Sequence, residues 1–120
     1  LLQKALQNGD IDVLTTLHQP SSPVNKEVAF YDAAYGCEGL GDALPLYYTK
    51  LVKSGLISMS ELLKLTVQNP AKVLGFEAGE IAVGKKIDLL IFDKELENII
   101  QNKQLLYDNE SLMGKVTSLR

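Results

Sequence analysis

The stretch "IDVLTTLHQPSSP", residues 11–23, decides how this chain is read. "IDVLTT" has the apolar and β-branched content of a buried strand over residues 11–16. The pattern then breaks at His18 into a polar stretch punctuated by Pro20 and Pro23. A histidine that closes a strand and opens a loop sits where α/β enzymes place their chemistry. The residue before it, Leu17, carries no chemistry at all. Residues 17–38 read as one long irregular loop, with Ser21, Ser22 and Gly36 as further breakers and Gly39 just beyond. Loops of that length in compact domains are usually functional or mobile.

Outward from this stretch the pattern is helical. Leu1, Leu2, Ala5 and Leu6 mark one helix face, and Gly9 supplies a stop after Asn8. Leu40, Ala43, Leu44, Tyr47, Tyr48, Leu51 and Val52 keep the three-and-four spacing of a helix that Gly55 ends. Pro45 falls inside that run, which predicts a helix starting near it or kinked there. Ser58 and Glu61 have the spacing of a capping box, with Ile57 and Leu62 placed for a hydrophobic staple. "NPAKVLG" predicts a further short helix, capped by Asn69, started by Pro70 and stopped by Gly75.

After Gly75 the character changes. "GEIAVGKKIDLLIFD" predicts a short strand, a glycine turn, and a second strand over residues 87–92 covered on both faces. Residues 93–113 read as polar and irregular, with a helical turn near Leu96 to Ile100, and residues 115–119 as the last strand. A strand, a loop and a helix make one repeat of an α/β barrel. A whole barrel takes about 250 residues, so 120 residues supply only a part of one. The opening lacks an initiator methionine and begins inside an apolar pattern, so the chain reads as a piece of a longer protein.

Composition sets the outer limits. The chain is 46% hydrophobic and 22% charged, as expected of an ordinary globular domain. A net charge of -3 with no basic stripe argues against a nucleic-acid partner. No apolar run approaches the ~20 residues of a membrane span. No charged leader or cleavage site is visible. A single cysteine excludes an internal disulfide framework and suits a cytoplasmic setting.

Four motifs in one order resemble those of a known family. "IDVLTTLHQP" resembles the last barrel strand of the dihydroorotases, members of the amidohydrolase superfamily, which typically ends Asp-His-Ala-Pro. "AAYGCEGLGDALPLYYTKLVKSGLIS" resembles their following loop and helix, "NPAKVLGF" their Asn-Pro-Ala segment, and "GEIAVGKKIDLLIFD" their β subdomain. Dihydropyrimidinases, hydantoinases and allantoinases share the strand and the subdomain, but "YGCEGLGDALPLYYT" is closer to dihydroorotase. The resemblance implies an α/β fold: the C-terminal piece of a (β/α)8 TIM-type barrel plus part of a small β subdomain. Residues 1–75 would hold the last strand, loop and helices, and residues 76–120 the partial subdomain. Taken alone, such a piece is expected to be mostly helical.

The resemblance also implies a chemistry. In the family, zinc in the barrel activates a water that attacks a cyclic amide, and the strand's Asp moves the proton. Carried over by position, His18 corresponds to the family's histidine that helps hold the substrate carboxylate, and Gly36 to a loop glycine beside the substrate ring. Pro20 matches the proline, and Gln19 replaces alanine. Leu17 replaces the catalytic aspartate, and leucine can neither ligate a metal nor accept a proton. The expectation is a dihydroorotase homologue impaired in catalysis, with substrate-binding candidates His18 and Gly36 and no catalytic or metal-binding residue in this stretch. The family's His-x-His and lysine ligands would lie upstream, so zinc belongs to the parent protein and not to this piece, which alone would be no enzyme. Two other readings stay open: a non-catalytic scaffold for aspartate transcarbamoylase, and an enzyme for another cyclic amide. Unpaired strands at 11–16 and 87–92 predict that the isolated piece self-associates, exchanges strands or repacks its β segment on the helices.

The remaining residues have plainer readings. Without the resemblance, His18 is a loop histidine. Cys37 reads as a small thiol with no activating neighbour. Tyr47 and Tyr48 read as packing residues, Asp88 as a turn or strand-edge residue, and Lys85 and Lys86 as a solvated turn. Gly75, Gly79 and Gly84 read as turn formers.

Overall fold

A computed structural model of the chain describes residues 1–86, 88–101 and 110–119. Helix α1 spans Leu2–Asn8 and stops at Gly9, whose φ of 79° is left-handed. Residues 10–22 carry no regular element. The strand expected over 11–16 is therefore not formed. A strand exists only through a paired neighbour. Among the described residues, residues 11–16 meet another element's backbone through Leu14 N–H to the Leu65 carbonyl, 3.0 Å, on a helix. The loop after it is not wholly irregular: a four-residue helix, α2, spans Pro23–Lys26, started by Pro23 at its first position.

Helix α3 spans Ala43–Tyr47 and continues as a π-helical turn over Tyr48–Val52. It begins two residues before Pro45, where a proline still falls among the N–H groups that lack a helical acceptor. Helix α4, Met59–Leu63, opens on the expected capping box. The Glu61 N–H donates to Ser58 Oγ (3.2 Å), and the Ser58 N–H donates to Glu61 Oε2 (2.7 Å). A second π-helical turn, Lys64–Gln68, runs straight into α5, Asn69–Leu74, which Gly75 stops with φ 75°. Asn69 is thus inside a continuing helix rather than its cap. Its side-chain amide instead donates to the Asp12 carbonyl at 2.8 Å, tying residues 10–13 to the helix. Ile57, Leu62 and Leu65 form the buried cluster, with Leu6, Leu14, Leu44, Leu51 and Val52 packed around it.

The C-terminal part is a two-stranded antiparallel hairpin, β1 (Leu90–Ile99) and β2 (Ser111–Leu119). It corrects three expectations. No strand precedes Leu90 among the described residues after Gly75. The strand expected over 87–92 begins at Leu90 and has exposed Leu90 and Ile91, so it is not covered on both faces; Ile87 lies outside the described residues. Leu96 to Ile99 are strand, not a helical turn, because Glu97, Asn98 and Ile99 pair with Met113, Leu112 and Ser111. The last strand contains the expected 115–119 and starts four residues earlier. The chain is accordingly a mixture of helix and sheet rather than mostly helical.

Helix α3 and its π-helical turn carry the hairpin. Thr49 Oγ1 donates to the Met113 carbonyl (3.1 Å) and accepts the Met113 N–H (2.8 Å). Tyr48 meets Phe92 edge-on at 5.3 Å between ring centroids, so this tyrosine is a packing residue. Gly114, at φ 92°, lies against Phe92 so closely that a Cβ there would sit 2.0 Å from Cζ.

Candidate functional site

The site is a pair of facing loop segments, 15–19 and 34–40, and local hydrogen bonds shape the first. Leu17 N–H donates to Thr15 Oγ1 (3.4 Å) and His18 N–H to Thr16 Oγ1 (3.1 Å). These side-chain turns end the run of β-branched residues and swing the chain outward. Leu17 takes φ 46°, the one positive φ outside glycine among the described residues, and the residue is 77% exposed.

The second segment grips the first. His18 Nδ1 accepts from two backbone donors, Gly39 N–H at 3.1 Å and Leu40 N–H at 3.2 Å. An imidazole nitrogen that accepts carries no proton, so the network assigns the neutral Nε2–H tautomer. Gln19 N–H donates to the Cys37 carbonyl at 3.0 Å. Gly36, at φ 85°, approaches Gln19 so nearly that a Cβ would lie 2.6 Å from Gln19 Cβ. His18 and Gly36, picked out separately by sequence, are thus brought onto adjoining segments. Lys26, which sequence did not single out, reaches across from α2: its ammonium donates to the Ala34 carbonyl (2.6 Å) and to the Gly36 carbonyl. Nothing in the sequence marks it, since its partners lie eight and ten residues away in a loop.

Chemically, the arrangement offers a fixed Nε2–H donor from His18 beside a segment without a side chain at Gly36. It offers no base at position 17. Cys37 is half-buried and unpaired in any disulfide. Among the described residues no group of three or more His, Cys, Asp or Glu side chains comes together. The described residues therefore do not by themselves fit a zinc ion, which needs three or four such donors, and no step is routed through one. No helix among them is long and apolar enough to cross a membrane. Lys85 pairs with the exposed Glu77 at 2.6 Å, and Lys86 lies 4.0 Å from Asp88, so this turn is solvated.

The sequence matches the profile of the amidohydrolase family over residues 2–116. It is 41% identical over 113 residues to a dihydroorotase of Elusimicrobium minutum (strain Pei191), covering 94% of this chain and 24% of that protein. It is 36% identical over 99 residues to a dihydroorotase of Bacillus thuringiensis (strain Al Hakam), covering 82% and 23%. The chain thus spans about a quarter of the length of these curated relatives. Among solved structures, the dihydropyrimidinase of Brevibacillus agri NCHU1002 superposes with a TM-score of 0.89 at 24% identity, over 99% of this chain and 29% of that one. The L-hydantoinase of Arthrobacter aurescens gives 0.85 at 28% identity, over 96% and 28%. These are barrel amidohydrolases, and the fold described above matches rather more than a quarter of each. With a match along nearly its whole length, and dihydroorotases among its relatives, this chain belongs to the amidohydrolase family.

Proposed function

We propose that the chain is the C-terminal part of a dihydroorotase homologue, a cyclic-amide hydrolase of the dihydroorotate/carbamoyl aspartate type from pyrimidine biosynthesis, with catalysis impaired at position 17. The identity of 36–41% to dihydroorotases supports the substrate class. One observation carries the impairment: an exposed leucine stands immediately before His18, where the family's pattern has its proton-moving aspartate. In this reading residues 1–75 complete a barrel and residues 76–120 belong to a β subdomain. The segment 11–16 becomes a strand only beside the barrel strand that would pair with it.

His18 and Gly36 are the substrate-binding residues of this proposal. With its Nδ1 occupied by two backbone donors, His18 presents Nε2–H to a carboxylate or carbonyl oxygen. Gly36 corresponds to the family's loop glycine beside the substrate ring, and its missing Cβ lets Gln19 come close to it. Zinc, where the parent protein binds it, would supply a hydroxide nucleophile at neutral pH; its ligands would come from other parts of the polypeptide. Leu17 can neither take nor return a proton, and a lost general base costs about 10² to 10⁴ in rate. The test is turnover of dihydroorotate by the full-length protein with zinc supplied. The expected rate lies at least about 10²-fold below that of an intact relative. A comparable rate overturns the impairment.

The same leucine favours a second reading, in which the barrel is retained for its surface as a non-catalytic scaffold for aspartate transcarbamoylase. Co-purification of the full-length protein with that enzyme supports it, and the absence of a stable complex counts against it. A third reading, hydrolysis of another cyclic amide, requires a carboxylate from elsewhere beside Leu17.

A further inference from the structure

We infer that Lys26 is the positioning residue of this site: its ammonium clips the 34–36 backbone so that the following residues can hold His18 in one tautomer. Lys26 is half-buried, ends α2, and donates to the Ala34 and Gly36 carbonyls at once. A charged donor on two carbonyls makes stronger bonds than neutral pairs do. The clip has a backbone companion, the Ala34 N–H to the Asn25 carbonyl at 2.9 Å, so α2 and residues 34–36 are tied at three points. Immediately past the clip come the Cys37 carbonyl that receives Gln19 N–H and the Gly39 and Leu40 amides that point at His18 Nδ1. The path from ammonium to imidazole is therefore continuous and short. Lys26 touches no reacting atom; it sets where Gly36 lies and which face of His18 is free.

The assignment rests on reading His18 and Gly36 as the ligand-binding pair, but its test does not. The full-length protein is labelled with 15N-histidine, and the His18 signal is assigned by its loss in His18→Asn. Wild type is expected to show an unprotonated Nδ1 and a protonated Nε2. Lys26→Met, which keeps the stem and removes the donors, is expected to shift His18 toward a mixture of tautomers. Amide exchange at Gly39 and Leu40 is expected to quicken by about 10-fold or more. Lys26→Arg, which keeps a charged donor, should restore most of both. An unchanged His18 signal and unchanged exchange in Lys26→Met overturn the assignment. So does loss of its helical circular dichroism, because a clip confined to this loop leaves the cluster of Ile57, Leu62 and Leu65 intact. Titration of dihydroorotate into the same samples reports on the substrate reading separately. Release of His18 with no binding in either protein leaves Lys26 in its role and retires the substrate.

Discussion

A leucine held at φ 46° and 77% exposed has neither comfortable backbone nor burial to recommend it. The left-handed region costs a residue with a Cβ roughly 1–2 kcal/mol, and Asn and Asp enter it more readily than other side chains. The backbone at position 17 therefore suits a short polar residue better than leucine. Leu17→Asn is expected to stabilise the full-length protein by about 1 kcal/mol, read as a higher denaturant midpoint; a lower midpoint would show that the leucine is not a burden. Gly36 has the opposite constraint. Gly36→Ala adds a Cβ 2.6 Å from Gln19 Cβ and 2.7 Å from the Gln19 carbonyl oxygen at φ 85°. It should push the two segments apart and speed protease cleavage between residues 20 and 40, with unchanged cleavage as the contrary result. That His18 and Gly36 stand out as candidates was legible in the sequence through the resemblance to the family's local pattern; that they bind substrate belongs to the proposal. What holds His18 was not, since the amides on Nδ1 lie 21 and 22 residues away and only the folded loop delivers them.

At the scale of elements the legible features are those written in three or four neighbouring residues. The stops at Gly9 and Gly75 and the Ser58–Glu61 box are of this kind, and each is formed. The strands are not, because their extent depends on register. β1 runs through the polar "DKELEN" because β2 lies opposite it, and an irregularity between Asp93 and Glu97 absorbs the mismatch. The two π-helical turns are likewise unmarked by composition; the first presents Thr49 to Met113. Two consequences can be measured. Glu61 is held below its ordinary carboxyl pKa, first by the hydrogen bond to the Ser58 side chain and next by the Ser58 backbone. A carboxyl lowered in the folded state stabilises that state above its ordinary pKa, and the gain is lost as pH falls through the lowered value. Ser58→Ala should therefore destabilise the fold near neutrality and lose part of the acid sensitivity that wild type shows as pH falls through and below the ordinary carboxyl range. Equal losses at every pH would dissociate the cap from Glu61. Thr49→Val removes both bonds to Met113 and leaves its half-buried N–H without that acceptor. A cost of about 1–3 kcal/mol is expected, together with faster exchange in β2 than in α4; uniform exchange would show that the hairpin is not docked through this threonine.

For the whole molecule, surface decides the outcome. A compact monomer of 13.2 kDa would expose about 6,400 Å² and have a radius of gyration near about 13.6 Å. This chain exposes 9072 Å² with a radius of 16.2 Å. The excess is in part apolar: Leu1, Leu2, Phe30, Tyr31, Val83 and Ile81 are each at least three-quarters exposed. A two-stranded hairpin adds to it, for such a sheet leaves one edge of each strand unpaired and is marginal in water by itself. Its docking on α3 through Thr49 and Tyr48 attaches the sheet to the helices without closing it. Among the described residues the buried apolar side chains are the cluster of Ile57, Leu62 and Leu65 and, apart from it, Ala71, Ile100 and Leu112, while many large apolar side chains stay exposed. Produced alone, the chain is therefore expected to hide apolar surface and strand edges against further copies of itself. Light scattering coupled to size exclusion should give a mass above 13.2 kDa that rises with loading concentration. Lys or Glu placed at Phe30 and Ile91, both exposed, should shift that equilibrium toward monomer. A monomer at every concentration, with slow amide exchange throughout β1, would mean that the open edge and the exposed side chains impose no such demand.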